Sequence, residues 1–328
     1  MKIKIVDFTN EHINEASALA IANYEEERLH VPTLPPIDSI PDLEWFAKNG
    51  LGVAAFIGNT LVGFLCGAGV WENAWDIKGV NHVFSPMGGN AVANFSIGTG
   101  DNRAKIYAAM YQAVGKKWAD AGATSHGISL YANDKEAQEQ FFRYGFGMRC
   151  IDAIRGMDEI DVVTLDGYEF LELIPDEIPS LFPLEKKHME SYLESPFFMY
   201  REMENEVDYV NNFNHDSFYF IAKFKGKIVA YIMAENGGET FIQDTPGYIH
   251  ASGAYCLPEH RGKGVIQQLL NLLIQKVKSQ GFNRLGADFE SFNPSGSGFW
   301  LKHFDAYTHS VVRRIDEKVL GIAGRSPQ

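Results

Sequence analysis

Cysteine is scarce in this chain, which has Cys66, Cys150 and Cys256 among its 328 residues. An odd number of cysteines without a regular spacing does not indicate a disulfide framework. Nothing after Met1 resembles a signal peptide. We therefore expect free thiols in a cytoplasmic protein, because disulfides are rare in that compartment.

Positive charge is also in deficit, with 29 Lys and Arg against 42 Asp and Glu and a formal net charge of -13 at pH 7. This balance argues against a nucleic-acid partner, because phosphate backbones need clustered Lys and Arg. Long apolar runs are missing as well. The longest, such as residues 62–71, are well short of the roughly 20 residues that a membrane helix needs. We expect no membrane partner.

The chain is long enough for two ordinary hydrophobic cores, and one order of elements occurs twice. Each half contains a strand, a helix and a hairpin. The hairpins turn at Gly58 and Gly226, and the helix of the second half is predicted over residues 184–193. Five residue pairs share an offset of 158: Phe141 and Phe299, Phe146 and Phe304, Arg155 and Arg313, Asp158 and Asp316, Glu159 and Glu317. We therefore predict two tandem domains, residues 1–160 and 161–328.

The clearest functional pattern lies in the second half. Residues 249–256 have the length and composition of a buried strand, and apolar residues recur at helical spacing from Val265 to Val277. Between strand and helix, Gly262 and Gly264 leave backbone N–H groups uncovered at the positive end of the helix dipole. Such a turn is suited to a diphosphate. The alternative is that the glycines serve only a tight turn.

The wider stretch, residues 258–265, resembles the acyl-CoA loop of the GNAT acetyltransferase superfamily. The family signature is Arg or Gln, two residues, Gly, one residue, then Gly or Ala; Arg261 and Gly264 match it, and Ile266 departs from it. Residues 299–304 resemble the family's Phe-Tyr-x-Lys-x-Gly-Phe helix end, one residue shorter. The resemblance implies an α+β fold with two tandem GNAT-like domains, each a mixed, mostly antiparallel central sheet flanked by helices.

The resemblance also implies acetyl-CoA as cosubstrate. Cys256 and Leu257 correspond to the strand that bonds the pantetheine arm and polarises the thioester carbonyl, and Asn293 resembles a residue that contacts the pantetheine. Trp300 stands where the family often has a tyrosine acid, and an indole N–H cannot act as an acid at neutral pH. The expected acetyl-CoA contacts are Cys256, Leu257, Arg261, Gly262, Lys263, Gly264, Val265, Asn293 and Trp300.

The first half is expected to be a degenerate GNAT-like domain. Aligning Ile106 with Ile266 puts residues 101–104 where the second half has its glycine-rich loop. A carboxylate, that of Asp101, and two further side chains then occupy the place of the anion. We therefore expect one acetyl-CoA site per chain.

Candidates for proton transfer follow from the ends of the predicted strands. Glu290 and His250 are the candidate general bases, although a Glu at a strand end is usually solvated and a lone His usually has a structural partner. Tyr255 is the candidate acid, with Tyr307 and Ser291 as substitutes, although a tyrosine in a strand more often packs. No histidine partner for Cys256 is apparent, so a covalent acyl-enzyme is not favoured.

We therefore expect an N-acetyltransferase that moves an acetyl group from acetyl-CoA to a primary amine of a small molecule by direct attack. The acidic segments 202–208 and 235–244 favour a cationic acceptor. The alternatives are an acyl-CoA-sensing module without turnover and an aminoacyl transferase of the tandem GNAT-like kind. Glu185 and His188 have Glu-x-x-His spacing, but a metal pair needs a second such helix, so no metal is expected. The protein is expected to be a monomer or a homodimer.

Overall fold

The computed structural model describes residues 2–74, 77–94 and 102–322. The chain divides into two compact units, which we call unit 1 (residues 1–152 and 306–328) and unit 2 (residues 153–305). None of the helices in the described ranges combines the length and apolar character that crossing a bilayer requires.

The chain up to residue 156 alternates short strands with four helices in the described residues. These elements are β1 Lys4–Asp7, α1 Ile13–His30, α2 Leu43–Asn49, β2 Gly52–Ile57, β3 Thr60–Cys66, β4 Ala68–Trp71, β5 His82–Ser85, β6 Asn90–Val92, α3 Asn102–Asp120, β7 Ser125–Tyr131, α4 Lys135–Arg143 and β8 Gly147–Gly156. The predicted hairpin turn is present, with Gly58 at φ 60° between β2 and β3.

The rest of the chain repeats this kind of alternation. Its elements are β9 Tyr168–Glu172, α5 Ile178–Ser191, α6 Glu206–Asn211, β10 Phe218–Phe224, β11 Lys227–Glu235, β12 Tyr248–Cys256, α7 Val265–Ser279, β13 Arg284–Glu290, α8 Pro294–His303, β14 Asp305–Arg314 and α9 Lys318–Ile322. The second predicted hairpin turns at Lys225 and Gly226, both at positive φ.

Unit 1 contains an antiparallel sheet of order β1-β2-β3-β6 and a second set of strands of order β4-β5-β7-β14-β8. Helix α3 buries Ile106, Met110, Val114 and Trp118 in the core of this unit, because these residues recur every three to four positions. This spacing gives α3 one apolar face, which packs on the sheet of the unit.

Unit 2 is built on the strand order β13-β12-β11-β10-β9, antiparallel except for the parallel pair of β12 and β13. Helix α7 buries an apolar stripe that runs from Val265 to Val277. Helix α5 contributes Leu181 and Leu184 to a second cluster, with Tyr231 and Tyr255 from the sheet. The predicted α+β class with mostly antiparallel sheets flanked by helices is confirmed.

The last strands of the two sequence repeats do not keep to the units of their own repeats: β14 of the second repeat lies in unit 1 apart from its first residue, and β8 of the first repeat extends from unit 1 into unit 2. Strand β14 pairs antiparallel with β7 in unit 1, while the end of β8, residues 153–156, belongs to unit 2. The two strands are equivalent by the offset of 158 that relates the repeats. The predicted division at 160/161 describes the sequence repeat and stays a prediction, whereas the compact units divide the chain at 152/153 and 305/306.

Candidate active site

The site begins where β12 and β13 separate. Their parallel pairing covers Tyr248 to Ala251 on β12 and Arg284 to Ala287 on β13. On the other side of β12, Met233 faces Gly253 and Glu235 faces His250, so β12 has one extra residue at this point. A bulge of this kind bends a strand and increases its twist. The edge of β12 beyond Ala251 is therefore left without a ladder partner on the β13 side.

A loop with two glycines in the left-handed region connects β12 to α7. Gly262 has φ 71° and Gly264 has φ 90°, a conformation that side chains with a Cβ rarely adopt. Among the described residues, the backbone N–H groups of Gly262, Lys263 and Gly264 have no hydrogen-bond acceptor. The first N–H groups of α7 add further donors without an intrahelical partner. Such donors at the positive end of a helix dipole are suited to an anion.

The loop and the open edge of β12 line one cleft of about 930 Å³. The end of α5, residues 192–197 and the start of α8 complete its lining. This volume is at the upper end of the range of small-molecule sites. A Cβ built on Gly262 would meet no atom within 4 Å, so the loop faces open space. The groups present therefore fit an extended ligand with a diphosphate.

Most of the predicted acetyl-CoA contacts lie in this cleft. Eight of the nine line it: Cys256, Leu257, Arg261, Gly262, Gly264, Val265, Asn293 and Trp300. The ninth, Lys263, directs its ammonium group to the backbone oxygen of Glu259 at 2.8 Å and is not part of the lining. Ile266, the residue that departs from the family signature, also lines the cleft.

Arg261 and Tyr255 form a pair at the base of the loop. Arg261 Nε donates to the carbonyl oxygen of Cys256 at 2.9 Å, and its guanidinium lies 5.4 Å from the centre of the Tyr255 ring. Burial raises the pKa of Tyr255 above its usual value, with Arg261 acting in the opposite direction. Tyr255 is therefore a neutral phenol near pH 7, which can donate a hydrogen bond or a proton into the cleft.

Cys256 is held as a neutral thiol. Burial raises its pKa to about 11, and its sulfur lies 3.6 Å from the backbone oxygen of Leu257. The thiolate is the nucleophilic form of cysteine. The environment of Cys256 therefore suits packing better than covalent catalysis.

Asn293 and Trp300 both belong to the α8 region. Asn293 caps this helix, since its Oδ1 accepts a hydrogen bond from the Gly296 N–H at 2.9 Å. Trp300 is 7% exposed and packs edge-to-face against Phe299 and Phe304. The indole therefore forms part of the wall of the cleft. It cannot act as the acid that a tyrosine at this position would provide, because an indole N–H does not ionise at neutral pH.

The two predicted bases lie outside the cleft lining. Glu290 Oε1 accepts from Arg201 Nη2 at 2.6 Å. His250 lies between Asp288 Oδ1, 2.8 Å from its Nε2, and the Tyr248 hydroxyl, 3.0 Å from its Nδ1. Each has partners that hold it in place without a substrate, and the catalytic roles of Glu290 and His250 stay predictions.

The sequence pattern indicates His188 only as a candidate metal ligand, but this histidine lines the cleft. His188, near the end of α5, places Nδ1 at 2.7 Å from the Tyr231 hydroxyl, and that hydroxyl lies 2.7 Å from Glu185 Oε2. The His188 ring is stacked on Tyr255, with centroids 5.0 Å apart and planes 24° apart. Within the described ranges, no group of three or more His, Cys, Asp or Glu residues is arranged for a metal ion.

Unit 1 has a smaller pocket of about 290 Å³ next to the start of α3. Arg103 forms ion pairs with Glu26 at 3.0 Å and with Asp134 at 2.8 Å inside it. Asp134 caps α4 through the Ala137 N–H, as Asn293 caps α8 in unit 2. A carboxylate thus takes the position of the neutral amide. Asp101, on which the sequence alignment relied, lies outside the described residues.

Residues 184–306 match the model of the acetyltransferase (GNAT) family. The matched segment contains the part of α5 that lines the cleft, the glycine-rich loop and α8. The segment that matches the family model therefore carries the loop, the open strand edge and α8, and the match supports acyl transfer in general as the chemistry of this segment.

Among the solved structures that this chain resembles, one with a TM-score above 0.5 shows the same fold. A GCN5-related N-acetyltransferase from Sphaerobacter thermophilus has a TM-score of 0.53 and 11% identity over 95% of both chains. A GCN5-related N-acetyltransferase from Kribbella flavida scores 0.39 at 12% identity, over 99% of this chain and 74% of that one. A tandem GNAT protein from the clavulanic acid biosynthesis pathway scores 0.42 at 13% identity, over 95% and 98%. A search of curated proteins found no match. The predicted GNAT-like fold class is confirmed.

Proposed function

We propose that unit 2 transfers an acetyl group from acetyl-CoA to a primary amine of a small molecule. One observation carries the proposal, namely that the loop with unpaired amides, residues 262–264, lines the same cleft as the unpaired edge of β12. Bound acetyl-CoA supplies an activated thioester. The loop amides and Arg261 are suited to the diphosphate, and the edge of β12 with Asn293 is suited to the pantetheine arm.

Direct attack by the amine is the route that the cleft supports best. A covalent acyl-enzyme needs an activated nucleophile, and burial keeps Cys256 as a thiol with a pKa of about 11. Tyr255, a neutral phenol in the cleft, is the proposed hydrogen-bond donor on the thioester side.

We propose one acetyl-CoA site per chain, with unit 1 degenerate. Its pocket has the carboxylates of Glu26 and Asp134 beside the start of α3, and both are paired with Arg103. A diphosphate at this place would lie next to two carboxylates and would have to replace them as the partner of Arg103.

We propose a small cationic amine as the acceptor. Carboxylates in the cleft support its positive charge, whereas the two acidic segments identified in the sequence do not. Neither acidic segment, residues 202–208 or 235–244, contributes to the cleft lining. Glu190 and Glu194 line it at the end that α5 forms, beside His188. Two exposed carboxylates attract a cation through modest, salt-screened energies, so the charge should affect kcat/KM more than kcat.

Release of CoA thiol with a panel of amines tests the activity. Polyamines, aminoglycosides and amino acids should be compared at low and high ionic strength, with calorimetry of acetyl-CoA binding in parallel. Acetyl-CoA binding with turnover of a cationic amine that weakens with salt is the expected result. Binding without turnover of any amine would favour a sensing module. No binding would contradict the proposal.

A further inference from the structure

The polar residues Glu185, Tyr231 and His188 form a chain of hydrogen bonds that ends at the cleft. Glu185 and His188 are three residues apart on α5 and share one face of the helix. Tyr231, in the middle of β11, is 1% exposed and joins them through its hydroxyl, at 2.7 Å from each. None of these three residues has a role in the acetyl transfer proposed above.

The direction of these hydrogen bonds follows from their chemistry. A carboxylate only accepts, so the Tyr231 hydroxyl donates to Glu185 Oε2. Burial and the Glu185 carboxylate raise the pKa of Tyr231 far above its usual value, which keeps this proton on the phenol. The Tyr231 oxygen then accepts from Nδ1–H of His188. This assignment of the tautomer comes from the network, and it leaves the lone pair of His188 on Nε2.

The position of His188 directs that lone pair to the cleft. Its ring lies between Tyr255, with centroids at 5.0 Å, and Tyr192, with centroids at 5.3 Å. The side chain is 14% exposed and lines the cleft. Among the described residues, Nε2 of His188 has no hydrogen-bond partner. A histidine with a fixed tautomer and a free nitrogen on a binding cleft is well suited to accept a proton.

We propose that Nε2 of His188 takes the proton of the acceptor amine, and that Tyr231 and Glu185 are positioning residues that fix its tautomer. The inference rests on the proposed acetyl transfer. The amine nitrogen bonds to the acetyl carbon, and the carbon–sulfur bond breaks with its electron pair on sulfur. One proton leaves the nitrogen for Nε2, and it returns to the CoA sulfur directly or through water. The balance needs no further reactant.

The role fits His188 better than the residues predicted from sequence. Glu290 is ion-paired with Arg201, and both ring nitrogens of His250 have partners. A base in either place would first have to break those contacts, and neither residue lines the cleft.

Charged and titratable groups surround the network of Glu185, Tyr231 and His188. Helix α5 contributes Glu185, Lys187 and Glu190, with Tyr192 at its end. The sheet and the loop contribute Tyr231, Tyr255 and Arg261, and Tyr209 and Tyr219 lie within the electrostatic reach of Glu185. The phenols remain neutral near pH 7, since burial raises the pKa of Tyr209, Tyr219, Tyr231 and Tyr255. Glu185 is the acidic member of the network, and it is linked to His188 by hydrogen bonds through Tyr231.

The kinetic test replaces His188 with glutamine, and His215→Gln in the same unit is the control, because His215 is exposed and outside the cleft. A general base contributes roughly 10² to 10⁴ in rate, so His188→Gln should lower kcat/KM by about a hundredfold or more. The kcat/KM of this variant should also depend less on pH than that of the parent. The Kd for acetyl-CoA should stay within threefold, and the control should match the parent.

A second test reads the tautomer without turnover. In ¹⁵N NMR of the free protein above pH 8, the ring of His188 should carry its proton on Nδ1. Tyr231→Phe, which keeps the ring and removes the hydroxyl, should shift it towards the Nε2–H form and lower kcat about tenfold or more. Glu185→Gln should have a smaller effect in the same direction, because an amide still accepts from Tyr231.

Different outcomes contradict the role of His188 and the proposed acetyl transfer. An active parent whose His188→Gln variant retains kcat/KM within threefold would overturn the role of His188 alone. An Nε2–H tautomer in the parent would do the same. A parent that neither binds acetyl-CoA nor acetylates an amine would overturn the function and, with it, the inference.

Discussion

Replacing Gly264 by glutamate tests the anion site most directly. Gly264 lies at φ 90° at the start of α7, and a Cβ there meets only Val163 Cγ2, at 3.9 Å. The substitution therefore fits sterically but strains the backbone, which costs about 1–2 kcal/mol for a left-handed residue with a Cβ. It also places a carboxylate beside the proposed diphosphate.

The charge decides the effect on binding. A carboxylate about 5 Å from a phosphate, with an effective dielectric constant of about 20, is repelled by about 3 kcal/mol. Binding of acetyl-CoA should therefore weaken about a hundredfold or more. Gly264→Gln has the same backbone strain and nearly the same size without the charge, so its loss should be clearly smaller.

Gly281 provides a matched control at the other end of α7. It has φ 93°, and a Cβ there meets no atom within 4 Å. Gly281→Glu therefore adds the same strain and the same charge away from the cleft. Denaturant unfolding should show both glutamate variants less stable by about 1–2 kcal/mol, and calorimetry should show the binding defect at 264 alone.

Two results would refute the reasoning. One is a Kd of Gly264→Glu within threefold of the parent. The other is an equal loss of binding in Gly281→Glu, which would attribute the defect to strain in α7. Added salt should restore part of the binding of Gly264→Glu, because mobile ions screen the repulsion at an exposed site.

Three further predictions concern the pocket of unit 1, a thiol and a packing contact. Calorimetry should give one acetyl-CoA per chain, and Arg103→Ala should leave its Kd within twofold; a stoichiometry near two would contradict a degenerate unit 1. With a pKa of about 11 against an unperturbed 9.0, Cys256 should react with iodoacetamide at pH 8 about a hundredfold more slowly than a free thiol, as peptide mass spectrometry can measure. Fast alkylation of Cys256 would show that its thiol is not shielded. Gly286→Ala would bring its Cβ to 1.6 Å from the Tyr248 hydroxyl, so the free energy of unfolding should fall by about 1–3 kcal/mol, whereas Gly298→Ala, with no atom within 4 Å, should be neutral or stabilising.

Local sequence signals predicted much of the fold. The strand predicted over residues 249–256 is present with one further residue at its start, and the hairpin turns at Gly58 and Gly226 are where the turn residues put them. Helix α5 was predicted over residues 184–193 but begins at Ile178, because prolines near its start and at Pro183 look like breaks in the sequence. The placement of β14 beside β7 in unit 1 was not predictable, since the alternation of a strand does not specify its partner.

The site was predictable where the backbone itself carries the function. Gly262 and Gly264 revealed the loop because few other residues adopt its conformation. The network around His188 was missed because its middle member, Tyr231, lies 43 residues away in a buried strand. One signal was present, since a tyrosine within an apolar strand needs a partner for its hydroxyl. That signal does not say which residue the partner is.

The placement of β14 in unit 1 has a consequence for synthesis of the chain on the ribosome. Residues 1–152 emerge first, but β14, the partner of β7 in unit 1, follows the whole of unit 2. At about 5–20 residues per second, the roughly 150 intervening residues take about 8–30 s to translate. During this interval β7 lacks a neighbour on the side that β14 later fills, and an unpaired edge favours association with other chains. The first unit to be synthesised is thus the last to be completed.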